Sequence, residues 1–144
     1  MGIHCEVRKC TGCGVCAVAC MDEKDIDPPL LRKIVRKERM ESGVLQLAFN
    51  SQSCFHCVTT RCATVCPTGS IVRDTETGIV IHDAAPCIGC GKCEDACPFG
   101  AIFFDVNHVI QKCDGCIDRV RRGYLPVCVE ACPQQALEWE PGSN

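Results

Sequence analysis

The sequence predicts an α+β fold of short strands and short helices, stabilised mainly by what its cysteines bind. Three observations support this prediction: sixteen of the seventeen cysteines fall into four groups of four, short apolar stretches lie between these groups, and other apolar residues are scarce. The chain is 47% hydrophobic, but this value includes the 17 cysteines among its 144 residues. The length suggests one domain, and so thin an apolar core implies that binding free energy supplies much of the folding free energy.

The four groups of cysteines, here called quartets one to four, are the most specific pattern in the chain. Quartets one and three share the spacing C-x2-C-x2-C-x3-C. In chain order the quartets are Cys10, Cys13, Cys16 and Cys20; Cys54, Cys57, Cys62 and Cys66; Cys87, Cys90, Cys93 and Cys97; and Cys113, Cys116, Cys128 and Cys132. Such loops supply three thiolates to a cubane [4Fe–4S] cluster, and a fourth cysteine followed by proline typically binds a different cluster. The sequence therefore predicts four [4Fe–4S] clusters, each held by three cysteines of one quartet and one of another.

Two other uses of cysteine are disfavoured. A secreted disulfide scaffold does not suit cysteines separated by two residues, because such cysteines are poorly placed to pair with each other. The N-terminus shows no basic region followed by an apolar stretch, so we expect a reducing, cytoplasmic location. A zinc ribbon does not suit four complete quartets in which no ligand is replaced.

The segments between the quartets predict short elements. Apolar residues that alternate with polar ones predict strands. Strands are also predicted after the Cys-Pro ends of quartets two, three and four, where proline stops the preceding helical turn and a tight turn leads into a short strand. The predicted strands and hairpins are residues 3–7, 30–39 with 44–49 around a turn at 41–43, 79–81 after a turn at 75–78, and 101–105. Helical turns are predicted over 15–20 and 92–96, and a longer helix over 114–122 that ends at Gly123.

Charge and motif content exclude several classes of function. The formal net charge is −3, and four oxidised clusters with their thiolates would bring it to about −11, so no nucleic-acid partner is expected. No apolar run approaches the length of a membrane span, so no direct membrane insertion is expected. The chain has no nucleophile–base pair and no phosphate-binding glycine loop, so no catalytic residue is predicted.

Some residues outside the quartets have more than one interpretation. Cys5 is expected to be a small inward-facing residue of the first strand, and His56 is expected to hydrogen-bond or pack beside a cluster without binding iron. Trp139 is expected to pack as a lid or to lie at a subunit interface. The basic run 32–39 is favoured as a solvated hairpin face, with a docking surface as the alternative. Arginines 119, 121 and 122 either screen the clusters or are surface charges.

Several segments resemble one known family. They are the run KCTGCGVCAVAC at 9–20, the run CFHCVTTRCATVCPTG at 54–69, KCDGC at 112–116, Arg119, Gly123 and PVCVEACP at 126–133. Nearly the whole chain resembles the four-cluster iron–sulfur subunits of the formate dehydrogenase and dimethyl sulfoxide reductase type. It is also similar to ferredoxin subunits of hydrogenases and carbon monoxide dehydrogenases and to the small subunits of tungsten aldehyde oxidoreductases.

The resemblance implies two nested bacterial-ferredoxin-like modules within a single compact polyferredoxin domain, 1–144. Module A comprises 1–29 and 106–144, module B comprises 50–105, and 30–49 is a hairpin insert. The nesting implies four ligand sets, numbered by the quartet that supplies three members. Set one is Cys10, Cys13, Cys16 and Cys132; set two is Cys54, Cys57, Cys62 and Cys97; set three is Cys87, Cys90, Cys93 and Cys66; set four is Cys113, Cys116, Cys128 and Cys20.

The function implied is that of a non-catalytic electron-transfer subunit carrying four [4Fe–4S] clusters. Its expected partner is a catalytic oxidoreductase subunit with a molybdenum or tungsten pterin, and a flavin or ferredoxin is a further candidate carrier. The sequence leaves open a stand-alone polyferredoxin and an electron-transfer subunit of a hydrogenase or carbon monoxide dehydrogenase. A module in which the metals are purely structural is the third alternative.

Overall fold

The computed structural model describes residues 2–141 and contains only short elements. In chain order they are β1 Gly2–Cys5, α1 Val15–Lys24, β2 Lys33–Glu41, β3 Val44–Gln52, α2 Arg61–Thr64, β4 Ile71–Arg73, β5 Val80–His82, α3 Lys92–Ala96, β6 Ile102–Phe104, β7 Ile110–Lys112, α4 Ile117–Arg121, α5 Val127–Glu130 and β8 Leu137–Glu140. The predicted α+β class is confirmed. Helices this short are marginal in isolation, so they depend on their surroundings for stability.

The strands in this part of the chain form four separate antiparallel pairs. β1 pairs with β8, which places Ile3 opposite Trp139 and joins the two ends of the described chain. The other pairs are β2 with β3, β4 with β5 and β6 with β7. The first pair joins strands that are distant in sequence, whereas the other three pairs are local hairpins.

The β2–β3 hairpin is the longest pair and was predicted. It turns on Ser42 and Gly43, whose φ angles of 50° and 75° are those of a two-residue type I′ turn. The strands continue to Glu41 and Gln52, since the register pairs Glu41 with Val44 at one end and Lys33 with Gln52 at the other. The inner end reaches the buried Ser51, and the outer end is exposed on both faces.

The other predicted elements agree with the structure in kind and differ at their ends. Strands follow all three Cys-Pro turns, and the helical turn at 92–96 is α3. The first strand ends at Cys5 because Glu6 begins a turn, in which its carbonyl oxygen accepts the N–H of Cys10 at 3.2 Å. The helix predicted over 114–122 begins only at Ile117, since Gly115 and Cys116 have φ angles of 61° and 52°.

The sequence did not predict α2, α5 or β7. The two helices are single turns of four residues inside quartets two and four, too short to show a helical period. β7 has three residues.

Two apolar clusters form the core of the described residues, and cysteines belong to both. One contains Ile3 and Leu137 together with Cys16 and Cys128. The other comprises Ile71, Val80, Cys93, Ile102 and Ile110. Each cluster is small, and cysteine side chains make up part of it.

Candidate metal centres

Three cavities are each lined by four cysteines that come from two different quartets. One cavity is lined by the members of set two, another by those of set one and the third by those of set three. In each, the Cys-Pro cysteine belongs to a different quartet from the other three. The structure therefore brings together the cysteines of sets one, two and three.

The four cysteines of set four are all buried. Cys20 lies on α1 and Cys128 on α5, and these two helices pack against each other. Burial raises the pKa of Cys20 to about 12, and the neighbouring thiols of Cys113, Cys128 and Cys116 add to the rise. Burial likewise raises the pKa of Cys128 to about 11, with Cys113 and Cys116 among the contributing neighbours. The structure therefore also brings the sulfurs of set four close together.

The arrangement suits a cluster of several atoms. Within residues 2–141, no three His, Cys, Asp or Glu side chains are grouped to hold a single metal ion. A zinc ion draws its thiolates to about 2.3 Å from one centre, whereas a cubane requires its four thiolates to stand around a space.

Backbone N–H groups donate to cysteine sulfurs in a repeated pattern. In each Cys-Pro turn, the donor is the residue four positions after the cysteine. The three hydrogen bonds are Ser70 N to Cys66 Sγ at 3.3 Å, Ala101 N to Cys97 Sγ at 3.5 Å and Ala136 N to Cys132 Sγ at 3.3 Å. Such bonds favour the thiolate form that binds iron and stabilise a reduced cluster.

The second residue between the first two cysteines is left-handed in every quartet. It is glycine in three quartets, and His56 occupies this position in quartet two with a φ of 48°. At Gly12 the chain has a second need for glycine, because a Cβ atom there would lie 2.5 Å from Cδ1 of Phe49. Aligning the four quartets on their cysteines would have identified His56 as the exception.

His56 is fully buried, with 0% of its surface exposed. Its Nδ1 accepts the backbone N–H of Val80 at 3.1 Å, and its Nε2 lies 3.8 Å from Cys113 Sγ. Burial lowers the pKa of His56 to about 3, and the nearby charge of Lys112 adds to this effect. The imidazole is therefore neutral at pH 7 and lies between quartets two and four.

Two cations are buried beside the cysteines. Arg32 is 1% exposed, and its guanidinium donates to Ser51 O at 3.2 Å, to Ser51 Oγ at 2.9 Å and to Ser53 Oγ at 2.7 Å. Lys112 is also buried, and its Nζ donates to the carbonyl oxygens of Val80 and Cys113. Among residues 2–141, neither cation forms an ion pair with a carboxylate.

This burial of charge fits an anionic group bound between the thiolates. A buried cation without a counter-charge is costly, and Arg32 lowers the pKa values of Cys20, Cys113 and Cys128 against the larger effect of burial. A cluster with four thiolates carries about −2 when oxidised. The prediction that the basic run is a solvated hairpin face is therefore wrong for Arg32, although Lys37 and Arg39 are exposed.

One residue that lines the cavity of set three has a polar atom without a hydrogen-bond partner. His82 lines this cavity, and its Nε2 is buried without a hydrogen-bond partner among the described residues. Buried polar atoms normally have a partner, and the sulfur atoms of a cluster are hydrogen-bond acceptors. The donor set, the buried cations and this orphaned nitrogen all fit [4Fe–4S] clusters.

The comparisons with known proteins agree with this chemistry. Two models described as 4Fe-4S dicluster domain match residues 45–140 and 9–70. The chain belongs to the 4Fe-4S dicluster family. The B subunit of anaerobic dimethyl sulfoxide reductase from Escherichia coli K12 is 39% identical over 150 residues, which cover 97% of this chain and 73% of that protein. The thiosulfate reductase electron transfer subunit PhsB of Salmonella typhi is 38% identical over 142 residues, covering 95% and 73%.

These matches confirm the family predicted from the cysteine runs, and with it [4Fe–4S] clusters as the cofactors. They also confirm that this dicluster protein serves electron transfer without catalysing a reaction itself. Within residues 2–141, none of the helices combines the length and apolar composition that a membrane crossing requires.

The other residues singled out in the sequence contact the core or form ion pairs and hydrogen bonds. Cys5 is half-buried beside the first apolar cluster, and its Sγ accepts the N–H of Ser51 at 3.4 Å. Trp139 is half-buried and packs on the same cluster. Arg119 pairs with Glu23 at 3.7 Å and with Glu130. The other two arginines are also engaged: Arg121 pairs with Asp74 at 2.6 Å and Arg122 donates to the carbonyl oxygen of Asp118 at 3.0 Å.

Proposed function

We propose that this protein is the electron-transfer subunit of an oxidoreductase complex, and that it carries four [4Fe–4S] clusters. It relays single electrons between a catalytic subunit and another redox carrier. The observation that carries the proposal is the grouping of the cysteines into four sets of mixed quartets, three of them around a cavity. Each bound cluster would supply a carrier that gains and loses one electron at a time.

The proposed ligands are the sixteen cysteines of sets one to four, in two nested modules. The pairing of β1 with β8 supports the nesting, since it joins 1–29 to 106–144 around module B, 50–105. The two apolar clusters support it as well. Cysteines of sets one and four belong to or pack against the first cluster, and cysteines of sets two and three belong to or pack against the second.

The neighbour relations between sets support a linear order: one, four, two, three. Cys16 of set one contributes to the raised pKa of Cys128 in set four, after burial, Cys113 and Cys116. Burial is the largest cause of the raised pKa of Cys113 in set four, and Cys54 of set two is the next. Sets two and three are linked within module B by the packing of α2 on α3.

The exposure of the cysteines supports the same order independently. Cys13 of set one and Cys90 of set three are exposed, whereas no member of sets two and four is exposed and all four members of set four are buried. We call sets one and three the outer sets, and sets two and four the interior sets. Electrons would enter at one outer set and leave at the other.

The side chains of the protein have defined parts in this relay. Cys-Pro turns hold the thiolates with backbone N–H donors, Arg32 and Lys112 offset the negative charge of the interior sets, and apolar residues exclude water. Exposed apolar residues follow or precede both outer cysteines in sequence: Val18, five residues after Cys13, is 64% exposed, and Ile88, two residues before Cys90, is 67% exposed. Partner proteins that cover these ends would shorten the path for electron transfer.

A catalytic subunit with a molybdenum or tungsten pterin is the proposed main partner, and a flavin or ferredoxin the second carrier. The support is that two relatives are a subunit of dimethyl sulfoxide reductase and an electron transfer subunit of thiosulfate reductase. The exposed end of the β2–β3 hairpin offers a docking arm, with Met40, Leu45 and Leu47 exposed. A cytoplasmic location is part of the proposal, since cysteines stay reduced there.

Anaerobic purification from the native host tests the proposal. We expect about sixteen irons per chain, visible absorption that dithionite bleaches reversibly, and a large catalytic subunit that co-purifies. A lone monomer with sixteen irons would instead indicate a diffusing polyferredoxin. Zinc without iron would overturn both the electron-transfer role and the cluster assignment.

A further inference from the structure

His56 belongs to one proposed cluster site through its backbone and contacts another through its side chain. It lies in the loop between Cys54 and Cys57 of set two, and its ring extends to Cys113 of set four, with Nε2 at 3.8 Å from Sγ. The ring is 0% exposed, so bulk solvent does not reach this contact. The residue thus spans the junction between the two interior sets.

The hydrogen bond from Val80 determines where the imidazole proton lies. The backbone N–H of Val80 donates to Nδ1 at 3.1 Å, so Nδ1 carries no proton. A neutral imidazole has one N–H, which must then be on Nε2. This N–H faces the sulfur of Cys113, which accepts hydrogen bonds as a thiolate. Nε2 is therefore the donor because the Val80 N–H already occupies Nδ1 on the other side of the ring.

The backbone alone does not explain a histidine at position 56. The corresponding residues of the other three quartets are glycines with φ angles of 61° to 72°, and a side chain in this conformation is strained. The chain therefore carries a strained histidine where glycine would form the same turn. The contacts of the ring are what distinguish it.

We propose that His56 is a positioning residue that donates an Nε2–H hydrogen bond to the Cys113 thiolate and so raises the reduction potential of the cluster in set four. This inference rests on the proposed function, since it needs a redox-active cluster at that site. A hydrogen bond to sulfur stabilises the more negative, reduced state. The bond acts across the border between the two modules and adjusts one interior potential relative to the other.

Two substitutions test the contributions of the two ring nitrogens, Nδ1 and Nε2, separately. His56→Asn keeps an acceptor near the position of Nδ1 and tolerates a positive φ, but it withdraws the donor from Cys113. His56→Gln places a donor near the position of Nε2 and loses the acceptor for Val80. His108→Asn and His108→Gln are matched controls, because His108 also has a positive φ of 60° and is exposed.

Potentiometric titration followed by electron paramagnetic resonance is the first readout, on anaerobically purified protein of measured iron content. In His56→Asn we expect one of the four potentials to become more negative, so that the ratio of reduced to oxidised cluster falls about fivefold at the wild-type midpoint. In His56→Gln and both His108 variants we expect wild-type potentials. Equal shifts in His56→Asn and His56→Gln, or none in either, would overturn the inference.

The second readout leaves position 56 unchanged and decides the matter even where the variants lose iron. In His82→Gln protein labelled with 15N at histidine, pulsed resonance of the reduced sample should detect a histidine nitrogen coupled to one cluster. A sample with no such coupling overturns the hydrogen bond while leaving the electron-transfer role intact. A wild-type protein without iron would overturn the proposed function instead.

Discussion

The interior and outer cysteine sets differ in how their charge is balanced. No cysteine of the interior sets is exposed, and those of set four are all buried. The chain places two buried cations, Arg32 and Lys112, and the neutral ring of His56 beside them. Each outer set has one exposed cysteine, Cys13 or Cys90. Solvent screens a cluster at the surface but not one at the centre, so fixed cations are needed where water is absent.

Removal of one cysteine ligand from an interior set and one from an outer set should show the largest difference between the two kinds of set. Cys128→Ala should lose an interior cluster and leave Arg32 without its counter-charge, which we expect to lower the free energy of unfolding by about 3–5 kcal/mol. Cys13→Ala should lose at most one outer cluster and retain the fold. Iron content and anaerobic thermal unfolding measure both effects. Equal loss of stability in the two variants would contradict the distinction between interior and outer sets.

Replacement of the central cation should have a smaller effect. Arg32→Met leaves the oxygens of Ser51 and Ser53 without their donor, which we expect to cost about 1–3 kcal/mol. It also removes a positive charge, so the interior potentials should become more negative. The exposed Arg39→Met is the control and should change stability by less than about 0.5 kcal/mol. Denaturant unfolding and redox titration test both variants, and unchanged potentials in Arg32→Met would show that the cation does not balance the clusters.

The smallest expected effect concerns an outer set. His82→Phe removes the buried, unpartnered nitrogen of a residue that lines the cavity of set three. The potential of that cluster should fall by about 20–60 mV, the equivalent of one net hydrogen bond. The three other potentials should stay as they are. His108→Phe is the control for the loss of an imidazole at the surface. A stable variant with all four potentials unchanged would mean that His82 donates to no cluster.

The sequence predicted the elements whose signals are local. A proline and a tight turn after Cys66, Cys97 and Cys132 are enough to place a strand, and Ser42-Gly43 is enough to place a hairpin. The single-turn helices α2 and α5 carry no such signal, because four residues show no period. The cysteine spacing predicted the number of clusters, but only the family resemblance indicated which quartets exchange a ligand, since spacing holds no information about distant partners.

The prediction from the sequence was wrong for a buried cation. Arg32 is the first residue of a basic run, and such runs normally lie in solvent. Its burial depends on thiolates that come from remote parts of the chain, so no local pattern could reveal it. His56 was partly predictable: its place beside a cluster followed from quartet two, whereas its contact with Cys113 depends on the fold.

The pairing of β1 with β8 has a consequence for biosynthesis. β1 leaves the ribosome before β8 and can pair only after β8 has been made, whereas the hairpins of β4 with β5 and β6 with β7 can close earlier. Domains generally fold as their residues emerge, yet here the N-terminal segment must wait with its thiols unprotected. The central half of the polypeptide should therefore receive its iron first, and a translation product that stops before residue 137 should leave the N-terminal segment unassembled.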